Sequence, residues 1–357
     1  MHQIFKKILL ENNGRSYYRV AEHLFAVECS DSALLQYMKN YEPFAVEELL
    51  GERRKAKGER REGEGIFTLR VEGDEARGER RKARGEEWTH VLTDNMEEDM
   101  PRIEVYRSCL EDGAERLQDA SLQDAETAIG GPEGLSVVGY RSGGWLLRVA
   151  MVAKAPISCE IECNEDFTQG VLYIMPDCQD IRFCIDNALM LLFAFRTAPM
   201  MTLEMHAAVV VRDEARGYLF LGHSGTGKST HARQWLAAFD DAWLLNDDNP
   251  ILRVMENGEV RVYGSPWSGK TPCYKNAYAR VGGIVKLSQA PHNKIRTISL
   301  PEAYAHMLSS ASGMKMDRHM ADCMYESIKH VITHVKCYHM ECLPNTEAAE
   351  VAQRGMV

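Results

Sequence analysis

The sequence predicts an α/β chain, α+β overall: a β-rich region over residues 1–180, then a strand–loop–helix core over residues 181–357. Three observations carry that reading. Aromatic and β-branched runs dominate the first part, as in Tyr17 to Val27 and Trp145 to Val152. A long apolar helical segment, Asp180 to Thr197, separates the parts. After it, short apolar strands alternate with glycine-rich loops and a helix, the pattern of a sheet covered by helices.

The elements follow in order. Tyr17 to Val27 reads as a strand pair and Leu34 to Tyr41 as a short helical patch. From Gly51 to Glu87 the composition turns to Gly, Arg and Glu, and a Gly-Glu-Arg-Arg-Lys-Ala unit at Gly51 recurs at Gly78. Mixed charge with few apolar residues beyond Ile66 to Val71 predicts a solvated, low-complexity insertion. A second tandem, Leu117 to Ala120 and Leu122 to Ala125, falls in helix or linker. Val137 to Tyr140, Trp145 to Val152, Ile157 to Cys163 and Val171 to Ile174 read as strands, with Ser142 to Gly144 a turn.

Composition excludes several classes. Hydrophobic residues at 45% and charged residues at 26% fit a globular chain, not a disordered one. Lys plus Arg is 42 against 52 for Asp plus Glu, a net charge of -10, which disfavours a basic nucleic-acid binder. The apolar run Ala188 to Phe195 is short of the about 20 residues of a membrane span. Scattered cysteines form no dense disulfide framework. The expectation is a reduced, soluble, cytoplasmic protein that binds neither nucleic acid nor membrane; a homo-oligomer stays open.

The strongest local signal is Tyr218 to Leu221, an apolar strand, running into Gly222-His-Ser-Gly-Thr-Gly-Lys-Ser229 and Thr230. This is G-x-x-x-x-G-K-[ST] in full, followed by a helical segment to Phe239. Gly222, Gly225 and Gly227 let the backbone turn so that amides of Ser224, Thr226 and their neighbours face a phosphate. Lys228 supplies a flexible cation, and the Ser229 hydroxyl suits Mg²⁺. The implied ligand is ATP or another nucleoside triphosphate.

Next, Trp243 to Leu245 is a strand ending in Asp247 and Asp248, where such a site needs a carboxylate for its metal. Adjacent carboxylates on extended chain point to opposite sides, so one can face the metal and the other an acceptor hydroxyl. A hairpin follows, Ile251 to Val254 and Val260 to Tyr263, turning at Asn257-Gly258. Its exit, Gly264 to Thr271, contains Gly269 and Lys270 and reads either as a second phosphate-facing loop or as a surface loop. Near the C-terminus, His330, His334, Cys337, His339 and Cys342 cluster in sequence, but a strand over 335–342 sends Cys337 and Cys342 to opposite faces.

Together these residues resemble the HPr kinase/phosphorylase family, whose nucleotide-binding core is shared with ATP-dependent phosphoenolpyruvate carboxykinase. The resemblance spans His206 to Gly264. It rests on His206 before the phosphate-loop strand, on Ser224 to Ser229, on the Asp247-Asp248 pair and on the hairpin after it. Thr230 stands where that family carries Glu. The resemblance implies a P-loop, HPr-kinase-like core. It implies that Asp247 acts on the acceptor hydroxyl, that Asp248 holds metal and that His206 lies near the phosphates. The expected activity is phosphoryl transfer to a hydroxyl of a protein, peptide or small molecule. The alternatives are a carboxykinase-like reaction on a small acid and a nucleotide-binding switch without transfer.

Overall fold

The computed structural model describes residues 15–29, 32–46, 67–72, 87–93, 102–109, 144–152, 155–213, 215–269, 271–315 and 317–356. The tandem at Leu117 to Ala125, the strand expected at Val137 to Tyr140, both copies of the charged repeat and Lys270 lie outside these residues. The chain divides into two units, one ending at Arg196 and the other running from Thr197 onward. Both contain a mixed sheet and helices, an α/β composition.

In the first unit, eight strands are described: β1 (Arg15–Val20), β2 (His23–Cys29), β3 (Thr68–Glu72), β4 (Glu87–Thr93), β5 (Arg102–Cys109), β6 (Gly144–Ala150), β7 (Ile157–Asn164) and β8 (Gln169–Ile174). Their order is β1-β2-β3-β8-β7-β6-β5-β4, parallel at β2–β3 and β3–β8 and antiparallel elsewhere. Strand β3 falls at the apolar stretch Ile66 to Val71 that interrupts the charged segment. Phe67, Leu69 and Val71 alternate along it and are fully buried, so a period of two hides inside the charged composition.

Helix α1 (Ile181–Thr197) belongs with this first unit, so the division falls later than the sequence boundary at residue 180. It packs on the sheet through its apolar side chains. Leu192 reaches Gly170, Phe193 meets His23 and Phe25 edge-on, and Phe195 meets Phe167. The span Ile181–Met200 has the length and hydropathy of a membrane helix, yet Cys184, Ile185, Leu189, Leu192, Phe193 and Phe195 are fully buried.

The second unit contains β9 (Thr202–Met205), β10 (Ala207–Arg212), β11 (Arg216–Leu221), β12 (Trp243–Asp248), β13 (Ile251–Val254), β14 (Val260–Tyr263), β15 (Tyr278–Gln289), β16 (Lys294–Thr297), β17 (Ala311–Ser312) and β18 (Cys337–Cys342). Strands β11, β15 and β18 run parallel; β10 lies antiparallel beside β11, and β12 antiparallel beside β10. β16 pairs with β18, and the hairpin β13–β14 sits where the Asn257-Gly258 turn predicts it.

Helices cover both faces of this sheet. On one face, α2 (Lys228–Ala238) and α5 (Thr346–Gly355) contribute Ala232, Trp235, Ala348 and Ala352 to a core with Phe220, Val285 and Met340. On the other, α3 (Leu300–Ser310) and α4 (Arg318–His334) contribute Ala303, Met307, Met324 and Ile328 to a core with Leu219, Leu221 and Val209. Each fully buried aliphatic or aromatic side chain contributes about 1.5–3 kcal/mol, so these two cores hold the strand ends rigidly.

Candidate functional site

Local sequence explains how the helices begin. Ser299 accepts from the Glu302 amide at the start of α3, Asp317 from Met320 at α4, and Asn345 from Ala348 at α5. These side chains satisfy amides that a helix start leaves open. Helix α2 has no such side chain: its cap is Gly227, at φ +107°. With Gly225 at φ +76°, the chain enters α2 through left-handed backbone that only glycine adopts cheaply. The open first-turn amides and the helix dipole suit an oxyanion.

The loop is braced from beneath. A Cβ on Gly222 would lie 2.9 Å from the Thr226 side chain, so that approach requires glycine. Gln289, at the end of β15, donates to the Gly225 carbonyl at 3.2 Å and the Thr226 carbonyl at 3.4 Å. Ser224 is exposed, Ser229 is half-buried in the first turn of α2, and the Thr230 hydroxyl accepts from Arg233 at 3.3 Å.

Lys228 is buried and donates to the carbonyls of Gly222 at 2.8 Å and His223 at 3.2 Å and to His206 Nε2. A lysine ammonium only donates, so Nε2 of His206 is the acceptor of that bond, and Nδ1 is the other nitrogen of the ring. That Nδ1 lies 3.6 Å from Asp248 Oδ1. The His206 backbone amide is held by the Ser310 carbonyl at 2.7 Å, at the end of α3. Three residues far apart in sequence thus form one line, Lys228–His206–Asp248.

Asp247 pairs in register with Ala208 and Asp248 with Ala207. Ala208 belongs to the core under α2 and Ala207 to the core under α3 and α4, so the two carboxylates sit on opposite faces. Asp247 is buried, whereas a third of the Asp248 side chain reaches solvent. The turn after them is clamped by a residue that no motif marked. Asn246, fully buried, donates to Ser265 Oγ at 3.1 Å and the Trp267 carbonyl at 3.1 Å and accepts from the Asn249 amide at 2.9 Å. The Ser265 hydroxyl donates to the Asn249 carbonyl at 2.6 Å.

No family model matches the chain, and no curated protein matches it. Among solved structures, the chain is similar to the Hpr(Ser) kinase/phosphatase from Coxiella burnetii, at 13% identity and a TM-score of 0.26. The match covers 42% of this chain and 94% of that one.

The C-terminal histidines and cysteines do not converge on one point. The His330 and His334 rings stack at 4.0 Å, His330 bonds the Gly258 carbonyl at 3.2 Å, and His339 is engaged by Ser288 at 2.8 Å. Among the described residues, no group of three or more His, Cys, Asp and Glu side chains forms a metal cage. The Ser229 hydroxyl and the two aspartate carboxylates are oxygen donors, the ligand type that Mg²⁺ takes.

Proposed function

We propose that the second unit is a nucleotide-dependent kinase that moves a terminal phosphoryl group to a hydroxyl, with a P-loop, HPr-kinase-like core. The observation that carries this reading is the start of α2: a full phosphate-loop motif in left-handed backbone, with no side-chain cap over its amides. In this reading the loop amides and Lys228 hold the phosphates of ATP or another nucleoside triphosphate. Ser229 and Asp248 hold Mg²⁺, which when bound offsets charge on the phosphate oxygens. Asp247 takes the proton of the acceptor hydroxyl, and His206 keeps Lys228 and Asp248 in line.

Calorimetry with MgATP tests it. The unsubstituted protein should bind, and Lys228→Ala should bind at least about tenfold more weakly, since one charge-assisted contact is lost. Equal binding by both proteins would remove the phosphate-loop reading. Incubation with γ-labelled nucleotide and candidate hydroxyl compounds then separates a kinase from a switch that binds without transfer.

A further inference from the structure

One strand away from the phosphate loop, the sheet carries a row of basic side chains that the proposed reaction has not used. Leu221, the last residue before the loop, pairs with Lys286 on β15. Lys286 pairs in turn with His339 on β18, and His339 with Arg296 on β16. Paired residues of adjacent strands share a face and stand about 4.8 Å apart. Leu221 packs in the core under α3, so Lys286, His339 and Arg296 all lie on the α3 side. Helix α3 places His306 over them: its ring is 6.5 Å from that of His339.

The charges in this cluster are unequal. Arg296 is matched by Glu302 through bonds of 3.1 and 2.5 Å and reaches His339 Nδ1 at 3.3 Å. Glu341, further out on β18, is 3.3 Å from His292. His306 is 3.9 Å from Glu302, whose carboxylate already serves Arg296. Lys286 is half-buried and has no hydrogen-bond or ion-pair partner among the described residues. Burial, then the neighbouring Lys286, holds the His306 imidazole below its ordinary pKa, and burial also lowers Lys286. An ammonium kept half out of water beside two imidazoles lacks a counter-charge, and an oxyanion would supply it.

We propose that Lys286 and His306, with His339 beside them, form an oxyanion seat that receives a phosphate or carboxylate group of the acceptor. The acceptor is then a small anionic hydroxyl compound rather than an uncharged one. The seat lies on the strand that braces the loop through Gln289, so an acceptor held there sits beside the nucleotide phosphates. Only the assignment of the anion to the acceptor rests on the kinase reading; the binding of an oxyanion does not.

The test uses the full chain carrying Lys228→Ala, titrated with inorganic phosphate at ionic strength held constant with chloride. Proton NMR follows the imidazoles, His306 and His339 for the seat and His223 for the loop. The expected result is a rise in the His306 pKa with saturating phosphate. Adding Lys286→Gln should weaken the apparent affinity about tenfold or more, and Lys286→Arg should keep it. No response of His306 to phosphate, or equal loss in the Gln and Arg variants, overturns the proposal. Calorimetry of the unsubstituted protein with MgATP reads the loop separately: if it binds no nucleotide while His306 still responds to phosphate, the kinase reading is lost and the seat is kept.

Discussion

The Gly269 amide donates to the Asp247 carbonyl at 2.8 Å, which ties the loop after the hairpin to the strand end bearing both carboxylates. Asp248 forms a bridge to Ser268 beside it. A Cβ on Gly269 would meet the Asp247 carbonyl at 3.0 Å and the Asp248 side chain at 3.3 Å. The loop from Gly264 to Gly269 therefore backs the aspartates.

The clamp beneath that loop is testable through Asn246. Replacing it with alanine removes these bonds inside a fully buried turn and leaves the Asn249 amide without its acceptor, while Ser265 and Trp267 keep the bonds between them. Asn246→Ala should cost about 3 kcal/mol, since each unmet buried group costs about 1–3 kcal/mol. Urea unfolding measures it; a loss under about 1 kcal/mol would show that water replaces the clamp.

Gly264 offers a contrast with the phosphate-loop glycines. A Cβ there would lie 2.1 Å from the Lys275 carbonyl, a backbone atom that cannot swing away. Gly264→Ala should lower stability by about 3 kcal/mol through this clash. At Gly225 no atom lies within 4 Å of an added Cβ, so Gly225→Ala should cost only the left-handed backbone, about 1–2 kcal/mol. Parallel thermal melts compare the two.

These elements differ in how legible they were. The phosphate loop, the aspartate pair and the Asn257-Gly258 hairpin are contiguous, so their spacing alone marks them. Asn246, Ser265 and Gln289 act through partners far along the chain, and only the sheet brings them together. The same holds for Lys286, His306 and His339, which lie on different elements and form no motif. Strand β3 is another matter. The alternation of Phe67, Leu69 and Val71 was readable, but its charged flanks dominated the composition.

A pH dependence follows from His231 on α2. Its ring is buried against Phe220, its Nε2 accepts from Trp235 Nε1 at 3.1 Å, and burial lowers its pKa from 6.5 to about 4. The unfolded chain takes up a proton here before the folded one does. The stabilisation is therefore complete above about pH 6.5 and is lost as pH falls toward about 4. At about 1.4 kcal/mol per unit, that loss amounts to about 3 kcal/mol. His231→Gln keeps an acceptor for Trp235 and should flatten this part of the profile in Trp-monitored unfolding; an unchanged slope assigns it to other groups.

The two aspartates should fail differently. Asp247→Asn should spare MgATP binding and slow transfer by about 10²–10⁴-fold, the worth of a positioned base. Asp248→Asn should raise the Mg²⁺ requirement, because a hard cation prefers a charged oxygen. A Mg²⁺ titration of transfer rate distinguishes them. Equal rescue of both variants by high metal would mean that the carboxylates share one role.

Strand β3 also dictates an order of events at the ribosome. It joins β2 as soon as it is made, but its other partner, β8, arrives roughly a hundred positions later, where Thr68 meets Gln169. Until then a nascent chain carries β1, β2 and β3 with one bare edge of backbone donors and acceptors. Such an edge recruits other chains, so the early translation product is the species most in need of a holding chaperone. Pulsed hydrogen exchange on stalled chains would find the β3 amides facing β8 protected only after Ile174 has cleared the exit tunnel.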